Sequence, residues 1–252
     1  MQIDLTNTNI LVTGASRGIG RAIAQALAKS GARVAVHYNS NREEAEALAR
    51  QIGGGSQAFG ADLGTGQGPL ELWKAVEESF GSVEVLVNNA GVAISSDIHK
   101  DDTEWLHDWG HTMMVNLNAS ALLCKKAIAH FQQRGGGRII TISSRAAFRG
   151  DTADYMAYAA SKGGLVALSR SIARAFGKQG IKAFTVAPGF TRTDMAQDFM
   201  DQYGEAYALN DIALSQLTEP ADIAPTIVFL ASGLADHATG CTIDINAGSY
   251  VH

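Results

Sequence analysis

Tyr158 and Lys162 stand four residues apart in the run Tyr158-Ala159-Ala160-Ser161-Lys162, inside a segment of helical period at 155–178. At that spacing a phenol and an ammonium share one helix face. A phenol alone has a pKa of ~10 and exchanges protons poorly near neutrality. A neighbouring ammonium favours the phenolate, and a fall of about 3 units corresponds to ~4 kcal/mol of differential stabilisation. A phenol tuned in this way can pass a proton to or from a substrate oxygen. Tyr155 lacks the arrangement, because Ala159 stands four residues beyond it. An incidental Tyr and Lys on an amphipathic helix would look the same, so the pair needs support from elsewhere in the chain.

That support begins at Thr13-Gly14-Ala15-Ser16-Arg17-Gly18-Ile19-Gly20, directly after the apolar run Ile10-Leu11-Val12. Three glycines so close together cost backbone entropy. A strand-to-helix turn that must approach a ligand closely gives a reason for them. In a doubly wound sheet a pyrophosphate sits at that place, against the helix N-terminus. The glycine runs at 53–56 and 134–138 stand in the opposite order, after a helix and before a strand, and read as helix-ending turns.

The elements that must position these residues alternate along the chain. Strands are expected at 9–13, 33–38, 57–61, 83–88, 138–142, 182–187 and 241–245. Helices are expected at 17–29, 42–52, 69–80, within 105–133, at 155–178 and at 220–232. This rhythm predicts an α/β fold, a doubly wound parallel sheet with helices on both faces, in one domain spanning 1–252. "ITISS", at 140–144, ends the fifth strand, the edge where such a fold places active residues. Apolar residues make up 46% and charged residues 18%, the balance of a globular protein. The net charge of −5 speaks against nucleic-acid binding, which needs a basic surface. No apolar run reaches membrane-spanning length and the N-terminus has no signal-peptide pattern, so a cytoplasmic location with two reduced cysteines is expected. His107 and His111 have a spacing that can bind metal, but without an accompanying Glu they read as a polar helix end, and no metal is expected.

The Thr-Gly-x-x-x-Gly-x-Gly loop, Asn88-Asn89-Ala90-Gly91, the Tyr158/Lys162 pair and Pro188-Gly189 occur in the order found in the classical short-chain dehydrogenases/reductases. The chain resembles that family over essentially its whole length, and most of all its 3-oxoacyl-[acyl-carrier-protein] reductase-like branch. The resemblance implies a seven-stranded Rossmann sheet of order 3-2-1-4-5-6-7 and hydride transfer between a nicotinamide dinucleotide and a carbonyl or secondary alcohol. It implies Tyr158 as general acid, Lys162 on both phenol and nicotinamide ribose, and Ser144 on the substrate carbonyl, with Ser143 as its alternative. Asn116 matches the asparagine that kinks a helix and anchors a relay water, with Asn118 as competitor. It also implies a homotetramer and a substrate lid at 193–210, which here carries Met195, Phe199, Met200, Tyr203 and Tyr207.

The cofactor-binding residues expected on this basis come in four groups. The loop supplies Gly14, Ser16, Arg17, Gly18, Ile19 and Gly20. The end of the second strand supplies Tyr38, Asn39 and Ser40. Asp62 and Leu63 bracket the adenine, and Asn89, Ala90 and Gly91 line the middle. Pro188, Gly189, Thr191 and Thr193 join Tyr158 and Lys162 at the nicotinamide end. An NAD-preferring enzyme carries an acid at the end of the second strand. Here that place falls at about Tyr38, while Arg17 can pair with a 2′-phosphate, so NADP(H) is favoured over NAD(H). A 3-oxoacyl thioester leads the substrate expectations. A sugar, polyol or cyclic ketone is the alternative, and a non-catalytic nucleotide sensor is the further one. The loop charges Arg145, Arg149, Asp151 and Asp154 suit a polar substrate, whereas the lid is apolar.

Overall fold

In a computed structural model of the chain, which describes residues 3–194, 196 and 204–251, the elements alternate as β1 (Asn9–Val12), α1 (Gly18–Lys29), β2 (Arg33–Tyr38), α2 (Arg42–Ile52), β3 (Gln57–Gly60), α3 (Gly68–Phe80) and β4 (Val85–Asn88). There follow α4 (Asp102–Met113), α5 (Ala119–Arg134), β5 (Gly137–Ile142), the short α6 (Ala146–Arg149), α7 (Met156–Phe176), β6 (Ile181–Pro188), α8 (Glu205–Asn210), α9 (Pro220–Ala231) and β7 (Thr242–Ile245). The strands form one parallel sheet in the order β3-β2-β1-β4-β5-β6-β7.

Side-chain alternation along the strands decides the layering. Ile10 and Val12 enter one buried cluster and Leu11 the other; Val34 and Val36 divide from Ala35 in the same way. Residues of α1, α2 and α9 cover the first face, among them Ile23, Leu48 and Ile227. Residues of α3, α5 and α7 cover the second, among them Trp73, Leu123 and Ile172. A parallel sheet buried on both faces explains why its strands read as nearly unbroken apolar runs. Because β1 lies between β2 and β4, the order of the sheet reverses there, and a crevice opens at the strand ends.

The helices depart from expectation at two places. α4 begins at Asp102, ahead of the expected Trp105, because the Asp101 carboxylate accepts hydrogen bonds from the Thr103 and Glu104 amides at 2.9 and 3.0 Å. The helix expected within 105–133 is not continuous: a π-helical turn at Met114–Asn118 separates α4 from α5. The sequence reading also missed α6 and the 3-10 turn at Ala153–Tyr155 that fill the link from β5 to α7. The glycine runs at 53–55 and 135–136 take positive φ values after α2 and α5, as expected for helix-ending turns.

Gly20, in the first turn of α1, has no room for a side chain. A Cβ there would lie 2.2 Å from the Gly14 carbonyl oxygen and 2.5 Å from Asn89 Nδ2. Gly20→Ala is expected to cost about 1–3 kcal/mol through this overpacking, read as a lower urea midpoint with an unchanged slope.

Candidate active site

The glycine-rich loop is fixed from both neighbouring strands. Gly14 takes φ +61°, and a Cβ there would lie 2.9 Å from the Ala90 Cα, so the turn needs both the conformation and the missing side chain. From β2, His37 Nδ1 accepts the Gly14 amide proton at 3.0 Å, and its Nε2 lies 3.1 Å from the Ala61 carbonyl. Those partners require the neutral ring with its proton on Nε2, and burial lowers the His37 pKa to about 4. From β4, Asn89 Nδ2 donates to the Thr13 and Gly14 carbonyls at 2.9 and 3.1 Å. The Thr13 hydroxyl accepts from the Asn89 and Ala90 amides at 2.9 and 3.0 Å. Neither Thr13 nor His37 was singled out from the sequence. The period-two pattern of β2 and the position of Thr13 at the strand end were the available signals.

Beyond the loop, the N-terminus of α1 carries no side-chain cap and no acidic residue in its first turn. Its first amides are therefore suited to phosphate oxygens. Ser16 is buried and Ile19 lines the cavity below. Gly18 faces the Thr193 methyl, and Arg17 pairs with Asp194 at 3.0 Å, both side chains mostly exposed at 66% and 73%. At the end of β2, Asn39 and Ser40 are exposed, and the Tyr38 hydroxyl packs over Gly60. Arg42 is occupied by Glu46 at 2.7 Å along its own helix. Asp62 accepts the Gly64 amide at 2.8 Å, whereas the Leu63 side chain is buried in the second core cluster.

A cavity of about 460 Å³ lies at the ends of β4, β5 and β6, with Ser144, Tyr158 and Lys162 in its wall. Pro188, Gly189, Thr191 and Thr193 close one side of it, and Asn89 and Gly91 another. The two serines that end β5 diverge. Ser143 is buried and donates to the Lys162 carbonyl at 2.9 Å, while Ser144 Oγ accepts the Ala146 amide at 3.1 Å and lines the cavity with Tyr158. Lys162 Nζ donates to the Ile142 carbonyl at 3.0 Å and lies 5.5 Å from the centre of the Tyr158 ring. A Cβ on Gly91 would come within 3.3 Å of both Lys162 Nζ and Asn116 Oδ1, so the absence of a side chain keeps this corner open.

Asn116 lies within the π turn and is fully buried. Its Oδ1 accepts the Val92 amide at 2.8 Å, and its Nδ2 donates to the Val92 carbonyl and the Ser161 hydroxyl, both at 2.9 Å. Ser161 in turn donates to the Tyr158 carbonyl at 2.7 Å. Asn118 is exposed at the far end of the same turn. Met195, Phe199, Met200 and Tyr203 of the expected lid, and the Tyr207 side chain, lie outside the described residues.

The electrostatics differ from the sequence expectation in one respect. Burial pushes the Tyr158 pKa up to about 12, partly opposed by the neighbouring Ser144 hydroxyl and reinforced by the Asp151 charge. Burial also lowers Lys162 to about 8. Desolvation therefore dominates at the phenol in the ligand-free protein. The arrangement can hold a proton on a phenol beside a second hydroxyl donor, at the mouth of a crevice suited to a dinucleotide.

A family profile described as Enoyl-(Acyl carrier protein) reductase matches residues 14–250. The 3-oxoacyl-[acyl-carrier-protein] reductase FabG of Staphylococcus epidermidis is 36% identical over 248 residues, covering 97% of this chain and 100% of the relative. The L-rhamnose 1-dehydrogenase (NAD(P)(+)) of Azotobacter vinelandii is 37% identical over 257 residues, covering 98% of each. Among solved structures, a Beutenbergia cavernae protein described as an NAD(P)-dependent gluconate 5-dehydrogenase, with NADP bound at low occupancy, superposes with a TM-score of 0.90. It is 30% identical, and the match covers 99% of both chains. This chain thus belongs to the short-chain dehydrogenase/reductase family and is an NAD(P)-dependent oxidoreductase.

Proposed function

We propose that the protein transfers hydride between NADP(H) and a ketone or secondary alcohol, with Ser144, Tyr158, Lys162 and Asn116 as its catalytic residues. The observation that carries this reading is that Ser144, Tyr158 and Lys162 line the same cavity, with Lys162 Nζ 5.5 Å from the centre of the Tyr158 ring. The open corner at Gly91 and the uncapped N-terminus of α1 suit the two ends of a dinucleotide. When bound, the nicotinamide gives or takes the hydride. Ser144 holds the carbonyl oxygen by a hydrogen bond, and Tyr158 delivers its phenolic proton to that oxygen. A raised pKa keeps the proton in place at neutrality, which suits reduction. Lys162 is largely an ammonium near pH 7; it stabilises the phenolate left after transfer and donates to the ribose hydroxyls. The Asn116 side chain is engaged by Val92 and Ser161, so a relay water would meet its backbone carbonyl, which also accepts from Ser120.

NADP(H) is the preferred dinucleotide in this reading. No acid stands at the end of β2, and Arg17, whose one ion pair among the described residues is exposed, is available to a 2′-phosphate. The lead substrate is a 3-oxoacyl thioester, in keeping with the name of the Staphylococcus epidermidis relative. A sugar or polyol is the second reading, favoured by the charged side chains Arg145, Arg149 and Asp211 in the cavity wall and by the name of the Azotobacter vinelandii relative. A homotetramer in the cytoplasm belongs to the same proposal, with light scattering as its check. No helix among the described residues is long and apolar enough to cross a membrane.

Three outcomes test this reading. Tyr158→Phe is expected to bind NADPH and to lose about 10²–10⁴ in turnover, measured by NADPH absorbance with acetoacetyl thioester and a ketone panel. NADPH bound but never consumed by wild type would mean a nucleotide sensor instead. The second outcome concerns the cofactor: kcat/KM for NADPH should exceed that for NADH at least tenfold, and Arg17→Gln should narrow the gap. The third concerns Lys162, whose pKa falls from 10.5 unfolded to about 8 folded. Between those values the unfolded chain binds more protons, so this group's contribution to stability rises with pH. Cofactor-free wild type should therefore gain about 3 kcal/mol relative to Lys162→Met between pH 8 and 10.5; a flat difference in urea titrations would contradict the assignment.

A further inference from the structure

Beyond Ser144 the cavity wall carries charge that proton and hydride transfer do not use. Arg145 follows the serine directly, and its amide donates to the Pro188 carbonyl at 3.0 Å. Its side chain is only 10% exposed. Its guanidinium lies 4.5 Å from the centre of the Phe190 ring and donates to Asp211 Oδ2 at 2.5 Å. Arg149, one helical turn later on α6, donates to the same oxygen at 2.8 Å.

One carboxylate oxygen thus serves two guanidiniums in a partly desolvated wall, and the Asp151 charge lies within electrostatic reach of both. Asp151, the other carboxylate lining the cavity, accepts from the Thr152 amide at 2.8 Å and forms no ion pair among the described residues. The remaining N–H groups of both guanidiniums have no hydrogen-bond partner among the described residues. A buried guanidinium is costly unless its charge and donors are matched. Planar forks beside an aromatic ring match a carboxylate better than they match a hydroxyl or a thioester.

We propose that Arg145 and Arg149 form an anion-binding subsite, and that the substrate is a small oxo acid, or the corresponding hydroxy acid, whose carboxylate seats there while its carbonyl meets Ser144 and Tyr158. This rests on the reading of Ser144 and Tyr158 as the carbonyl site. Asp211 holds the two forks in place from the C-terminal end of α8, so it is a positioning residue.

The test is a graded series of oxo acids, with two to six carbons between ketone and carboxylate, each paired with its uncharged amide and assayed with NADPH. Acetoacetyl thioester serves as a further neutral ketone. At one chain length or more, kcat/KM for the acid should exceed that for the amide at least tenfold. Arg149→Gln should collapse that ratio towards one and Arg149→Lys should restore part of it, because a half-exposed side chain can be changed without emptying the core. A clamp that only held α8 to α6 would lower acids and amides alike and leave the ratio intact. Turnover of ketones with acid-to-amide ratios near one at every length overturns the subsite while leaving the ketone reductase standing. Absence of turnover with every ketone and alcohol overturns both.

Discussion

The backbone of Gly14 passes within contact distance of Ala90, and the position of everything else in the crevice follows from that approach. β1 must deliver the chain to the start of α1 while β2 and β4 crowd it from either side. The bend is held by groups with no part in chemistry: a neutral imidazole below, a threonine hydroxyl and an asparagine amide beside it. Each satisfies a backbone polar group that would otherwise be stranded at the edge of an apolar core. The same contacts leave the first amides of α1 directed at the crevice.

Much of this was legible in the sequence because it follows from strong local rules. The strands, the six helices that cover the sheet and the divergence of Tyr158 from Tyr155 rest on period, spacing and glycine placement, whereas the order of the sheet came from the family resemblance. The π turn was not legible, since the residues Met114–Asn118 have no composition that distinguishes them from ordinary helix. Nor was the division of labour between Ser143 and Ser144. Neighbouring residues at a strand end face opposite ways, and only the packing of α7 shows which one meets Lys162 and which meets Tyr158. His37 and Asp211 were invisible for a different reason. Their partners lie more than twenty residues away, so no local pattern could link them.

The acid-base groups show how burial and charge compete. Reasoning from residue types alone makes the Lys162 ammonium the dominant influence on the Tyr158 phenol. In the folded protein the ammonium is turned towards the Ile142 carbonyl, and exclusion of water acts on both groups at once. Each is driven towards its neutral form, the phenol holding its proton more tightly and the amine less so. The balance between them becomes sensitive to whatever positive charge enters the crevice next to them.

The π turn between α4 and α5 has a consequence for how this chain can vary in length. A wider turn accommodates one more residue than an α-helical turn, so the faces on either side are out of phase by about 100°. Asn116 sits inside that phase slip, with its amide locked across to Val92 and Ser161. Substitutions in 114–118 alter single contacts, whereas removal of one residue would straighten the helix and swing every side chain of α4 around its axis. A change of residue count in 114–118 therefore reorients α4 as a whole, whereas a substitution leaves its phase intact.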